Sequence, residues 1–207
     1  LDKIVGQITG KPLEVIVTHM HPDHAGCIKY FDKVWMHRAD TVLVPQHAAD
    51  YQGEFLYMEE GQVFDLGGRK LEVAWMPGHT PGSVVLLDKA NGDCYSGDAF
   101  GSGEVWLQCV PMSPIATFHE SCCRMEKLMK EGHIKDIWCG HYPYLKSSLP
   151  LAYMQTMIRI SHRLMNGDQE GSEPYSNYFI KMPPTARKLA EGRAMIVYDS
   201  TNIPEAR

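Results

Sequence analysis

His19, His21, Asp23 and His24 lie within one stretch of six residues, and each offers a side chain suited to holding a divalent ion. Neutral imidazole and ionised carboxylate are good ligands for a borderline ion such as zinc. Four such donors at this spacing read as built for two ions. The full run is Thr18-His19-Met20-His21-Pro22-Asp23-His24-Ala25-Gly26, and it follows Leu13 to Thr18, whose Val15, Ile16 and Val17 suit a buried strand. His19 and His21 would leave that strand on a tight loop. Pro22 suits the first turn of a helix, where its missing N–H costs nothing, and this places Asp23 and His24 at the helix start.

Three later stretches repeat the device. Gly78-His79-Thr80-Pro81-Gly82 follows the strand-like Lys70 to Trp75, Ser96-Gly97-Asp98-Ala99 follows Asp93 to Tyr95, and Cys139-Gly140-His141 ends Asp136 to Trp138. Each sets one ligand-type residue on a glycine-containing turn at a strand end, where backbone can fold closely around a site. Taken singly, Asp98 reads equally well as a turn former capping nearby N–H groups, and His141 as a surface histidine. His37, His47, His119, His133 and His162 have no ligand-type neighbour at useful spacing and read as surface or packing residues. Among these His119 invites attention, because it lies shortly after the Asp98 turn.

In this order, the His-x-His-x-Asp-His run, the Gly-His-Thr-Pro-Gly turn, the Gly-Asp turn and the late Gly-His resemble the metallo-β-lactamase superfamily of binuclear metallohydrolases. The resemblance spans roughly residues 13 to 142. It implies an α/β fold of αββα type, two sheets face to face with helices outside, and residues 1–207 as one such domain. It implies a first metal on His19, His21 and His79, a second on Asp23, His24 and His141, and Asp98 bridging both. Two zinc ions are the expected cofactors, with iron or manganese as alternatives. The chain departs from the family pattern at its start, where members carry about fifty more residues, including an Asp-containing turn that supports the site. A homodimer covering the exposed sheet edge is one expected compensation; a segment outside this sequence is the other.

The chemistry implied is hydrolysis of an ester-like bond. Two metals sharing a water lower its pKa to about neutrality and so supply a nucleophile. Asp23 would accept the proton of that nucleophile as well as bind metal, and Asp98 would fix the metal spacing. No Gly-x-Ser-x-Gly elbow is present. Within the family a bridging Asp is typical of thioesterases, lactonases and phosphodiesterases rather than of true β-lactamases. Glyoxalase-II-type members often carry a further His where this chain has Ser83. The substrate expected is a small organic ester, thioester or lactone, in a pocket walled by Phe100, Trp106, Leu107, Met112, Tyr142 and Tyr144, although ordinary core packing accounts equally well for those six. Two other readings stay open: a mononuclear-iron sulfur oxygenase of the persulfide-dioxygenase type, and an inactive, metal-stabilised binding protein.

The elements that must position these groups alternate along the chain. Helices are expected over Asp2 to Gly10, Cys27 to Phe31, Ala39 to Ala49, Phe118 to Lys130 and Leu151 to Leu164, the fourth with an apolar stripe of Phe118, Cys122, Met125 and Met129. Strands are expected over Val34 to Met36, Gln62 to Asp65, Lys70 to Trp75, Ser83 to Leu87, Asp93 to Tyr95 and Ala194 to Tyr198. Asn91-Gly92 marks a hairpin turn, and Gly167 to Pro174 a polar loop. With 207 residues, 44% of them hydrophobic, the chain can bury a full core without disulfides. Its net charge of −5, with Lys and Arg scattered, offers no cationic groove for nucleic acid. Six cysteines without paired spacing fit reduced, mostly buried thiols. No segment is apolar enough to span a bilayer, and a cytoplasmic location is expected, although a chain that begins at Leu1 leaves secretion with cleavage open.

Overall fold

The computed structural model describes residues 2–101, 103–142, 146–178 and 180–204. Helix α1 (Asp2–Ile8) leads into an extended strip, and α2 (Pro22–Ala25) follows the histidine run. Strand β1 (Lys33–His37) pairs in parallel with β2 (Glu54–Met58). Between them lie a 3-10 segment (Arg38–Leu43) and the short α3 (Val44–His47). The central sheet has the order β3-β4-β5-β6-β8, from Val63–Asp65, Lys70–Trp75, Val84–Asp88, Asp93–Gly97 and Asp136–Cys139. A third sheet has the order β7-β11-β10-β9, from Val105–Trp106, Ala194–Asp199, Ala186–Glu191 and Glu173–Pro174. The two long helices are α4 (Ile115–Lys130) and α5 (Leu151–Met165).

Side-chain alternation sorts these elements into layers. On β1, Val34 and Met36 face a cluster with Ala25, Ile28, Leu43 and Ala48 from the helical segments outside. Trp35, between them, faces the other way and meets Phe64, Val73, Val84 and Leu86 of the central sheet. On the far side of that sheet, Ala74, Val85, Leu87, Cys94 and Ile137 pack on Phe118, Cys122 and Met125 of α4 and on Met154, Met157 and Ile160 of α5. The sequence of layers is helix, sheet, sheet, helix. Strand β5 lies between both cores, which is why Val84 to Leu87 are all buried and read as an unbroken apolar run. The methionine-rich stripe of α5 is core, as its spacing suggests.

Several expected elements take other forms. The strip Val15 to Thr18 is stitched rather than fully paired: Trp35 N–H donates to Val15, Val17 N–H donates to Trp35, and Val84 N–H donates to Thr18. It thereby ties both sheets together immediately before His19. The helix expected over Ala39 to Ala49 is a 3-10 segment followed by one α-turn, because Pro45 has no N–H with which to continue a single helix. The helix expected over Cys27 to Phe31 is one 3-10 turn, Ile28–Tyr30. The hairpin turn is wider than Asn91-Gly92 alone: Asp88 pairs with Asp93 across four residues, with Gly92 at φ +78°. Strands β2, β7, β9 and β10 lie outside the sequence expectation, and β9 falls in the expected polar loop.

Candidate metal centre

All seven expected ligand residues meet at one edge of the central sheet. His19, His21 and His79 form one nest; Asp23, His24, Asp98 and His141 form another, with the ligand atoms of each nest within 4.8 Å of one another. In the first, His21 Nδ1 lies 2.9 Å from His79 Nε2. The His79 Nδ1–H donates to the backbone carbonyl of Trp106 at 2.8 Å, which fixes the tautomer and leaves Nε2 as the lone pair facing the nest. In the second, His141 Nε2 lies 3.1 Å from Asp23 Oδ2 and 3.2 Å from Asp98 Oδ2, while His24 Nε2 lies 3.4 Å from Asp98 Oδ2. Asp98 Oδ2 is also 3.9 Å from His79 Nε2, so one carboxylate reaches both nests.

Local backbone explains the convergence. The Asp98 loop leaves β6 and the His141 turn leaves the adjacent parallel β8, so two ligands arrive side by side. Gly140 between them has no substitute, since a Cβ there would sit 2.2 Å from Asp98 Oδ1 and 2.9 Å from His24 Cε1.

The donor set fits a pair of divalent ions. Two buried polar atoms in it, His19 Nε2 and Asp98 Oδ1, have no hydrogen-bond partner among the described residues, a costly arrangement unless a cation completes it. Burial holds the pKa of His19 and of His79 below that of an ordinary histidine, and lowers that of His21 to about 3. All three are therefore neutral near neutral pH, the form that binds metal. Burial pushes the Asp98 carboxyl up, but hydrogen bonds from His141 and His24 outweigh it and hold the group well below the usual carboxylate range. The hydrogen bond to His141 likewise lowers Asp23. His141 itself is pushed up to about 10 by its bonds to Asp23 and Asp98.

A cavity of about 950 Å³ opens over both nests. Trp106, Val110 and Ile180 give it apolar wall, Glu104 and Asn177 lie on its rim, and no Lys or Arg lines it among the described residues. Of the five described residues among the six weighed as pocket wall, only Trp106 takes that place. Phe100 and Leu107 are core, Met112 and Tyr142 are partly exposed outside the lining, and Tyr144 lies outside the described residues. His47, read as a surface or packing residue, lines the cavity with its ring 5.8 Å from that of His21. Nothing in its sequence neighbourhood signals this, because the turn broken at Pro45 aims it. His119 lies elsewhere, bonded to Ser161 at 2.9 Å and beside Cys123.

The comparisons with known proteins bear on family and fold. The family model of the metallo-beta-lactamase superfamily matches residues 4–119, so His141 lies beyond the matched part. The human acyl-coenzyme A thioesterase MBLAC2 is 28% identical over 159 residues, 64% of this chain and 57% of that protein. A hydroxyacylglutathione hydrolase of Aeromonas salmonicida is 29% identical over 141 residues, 67% of this chain and 51% of its own length. The chain thus spans little more than half of these relatives. Among solved structures, TTHA1623 in a di-iron-bound form superposes with a TM-score of 0.57 at 24% identity, over 75% of this chain and 82% of its own. No helix among the described residues is long and apolar enough to cross a membrane.

Proposed function

We propose that this chain, which belongs to the metallo-β-lactamase superfamily, is a two-metal hydrolase of thioesters with uncharged acyl groups. The observation that carries the reading is the pair of adjoining nests, sharing Asp98, on the floor of a cavity with apolar wall. Two nests favour a hydrolase over a mononuclear-iron oxygenase, which needs only one. The thioesterase and hydroxyacylglutathione hydrolase names of the relatives support the choice of bond.

His19, His21 and His79 would hold one ion, Asp23, His24 and His141 the other, and Asp98 both; zinc is the ion we expect. When bound, such a pair polarises the thioester carbonyl and brings the pKa of water near neutrality. Asp23 has a side chain 52% exposed at the second nest, so besides binding metal its carboxylate can take the proton of the attacking water. The water oxygen bonds to the acyl carbon, the C–S bond breaks, and the thiolate leaves through the open side of the cavity. Trp106, Val110 and Ile180 would seat the acyl chain. An apolar wall of this kind suits an uncharged chain.

The test is hydrolysis by the metal-loaded protein of a panel of acyl thioesters, lactones and phosphodiesters, followed by thiol or acid release. Thioester turnover that is lost in His79→Ala supports the reading. A folded protein carrying two equivalents of metal that turns over no thioester overturns it.

A further inference from the structure

Asp40 is a buried acid that belongs to neither nest. It sits in the 3-10 segment after β1, is 1% exposed, and accepts three hydrogen bonds. Its Oδ2 accepts from Met20 N–H at 2.9 Å and from the Thr80 hydroxyl at 2.9 Å; its Oδ1 accepts from Gly82 N–H at 2.6 Å. Met20 is the residue between His19 and His21, and Thr80 is the residue after His79. One carboxylate therefore grips backbone between the first two histidines of a nest and, through Thr80 and Gly82, the turn that follows the third.

The surroundings are built for that grip. A Cβ on residue 82 would lie 2.6 Å from the Asp40 Cγ and 2.7 Å from its backbone N, so the turn approaches this closely only because residue 82 is glycine. Ser83 Oγ accepts from Thr80 N–H at 3.0 Å and lies 2.8 Å from Thr80 Oγ1. With the Thr80 hydrogen committed to Asp40, the Ser83 hydroxyl donates to Thr80. This leaves Asp40 with acceptor roles only, two of them toward backbone N–H groups that cannot reverse. A neutral amide of the same shape has one acceptor oxygen, and its NH₂ would be forced against a donor.

We propose that Asp40 is a positioning residue for the first metal: its carboxylate clamps the His19–His21 loop to the His79 turn and so sets the affinity of that nest. The proposal rests on the metal-centre reading, and the wild-type titration tests that reading by itself. It is tested by zinc titration of metal-stripped protein against a chromophoric chelator. Wild type should take up two zincs, and uptake of none would fail the metal-centre reading. Asp40→Asn should weaken one of the two by about 10- to 100-fold, the range for lost outer partners of metal ligands, and leave the other within about threefold. In a His79→Ala background, where that nest is already broken, the same change should leave zinc affinity unaltered. Thr80→Val, which removes the hydroxyl that donates to Asp40 and accepts from Ser83 but leaves both backbone donors on Asp40, should weaken the same zinc by a smaller factor. Equal affinity in wild type and folded Asp40→Asn overturns the proposal. So does equal weakening of both zincs, which marks a merely structural role. If circular dichroism shows Asp40→Asn unfolded, Thr80→Val decides: a selective loss supports the clamp, and unchanged zinc affinity overturns it.

Discussion

His79 and Trp106 are joined by a hydrogen bond, the His79 Nδ1–H donating to the Trp106 backbone carbonyl at 2.8 Å, so the residue whose side chain walls the cavity also orients a histidine that lines it. The two duties use different atoms and are separable. Trp106→Ala keeps the carbonyl and should keep full zinc content. It removes acyl wall, and burial of an aromatic side chain is worth about 1.5–3 kcal/mol, so KM for apolar thioesters should rise by about tenfold or more. Steady-state kinetics beside elemental analysis checks both halves.

Gly140→Ala puts a methyl group where Asp98 Oδ1 and the His24 ring meet. The expected result is a folded protein that loses zinc from the second nest, and with it at least about 100-fold in kcat, the scale of one lost catalytic group. Retention of two zincs at wild-type affinity would contradict the packing described.

Asp98→Ala should lower zinc content and turnover together, because the same carboxylate reaches His79 in one nest and His24 and His141 in the other. Asp23→Asn should instead cut kcat by about 10²–10⁴ while altering the thermal midpoint of the metal-free protein little. The exposed position of Asp23 predicts that contrast. Differential scanning calorimetry with kinetics on the two variants tests it.

Acid stability should depend on Asp88. Its carboxylate is fully covered at the β5–β6 hairpin, where the Asn91 side chain and then Arg69 hold its pKa below the usual value against the opposing effect of burial. A depressed folded pKa means that the contribution is complete above the unfolded value of about 3.9 and is lost as pH falls through the folded one. Urea midpoints should therefore fall in wild type below about pH 4. Asp88→Asn should be less stable at pH 7 and flatter across that acid range.

The site was more legible in the sequence than the scaffold was. His79, Asp98 and His141 each sit on a glycine-containing turn after a strand, and those local signals survive into the fold. Strand β10, Ala186–Glu191, has the composition of a helix, Ala-Arg-Lys-Leu-Ala-Glu, and is a strand only because β11 pairs along its whole length. Strand β7 has two residues, too few to carry a period, and exists by its pairing with β11. Asp40 gave no local sign either, since all three of its donors lie 20 or more positions away. Its role belongs to the fold, as does that of His47.

The parallel pairing of β6 with β8 has a bearing on how the protein matures. The three histidines of the first nest are all made by position 79, but the second nest does not exist until the chain has passed position 141 and β8 has found β6 across the intervening α4. Contacts so distant in sequence form late, after loop closure has been overcome. A nascent chain can thus offer three histidines to a metal well before it can offer the shared carboxylate a complete pair of partners. Filling of the second position would then report that the central sheet has closed, and an ion bound there would stabilise that closed state by mass action.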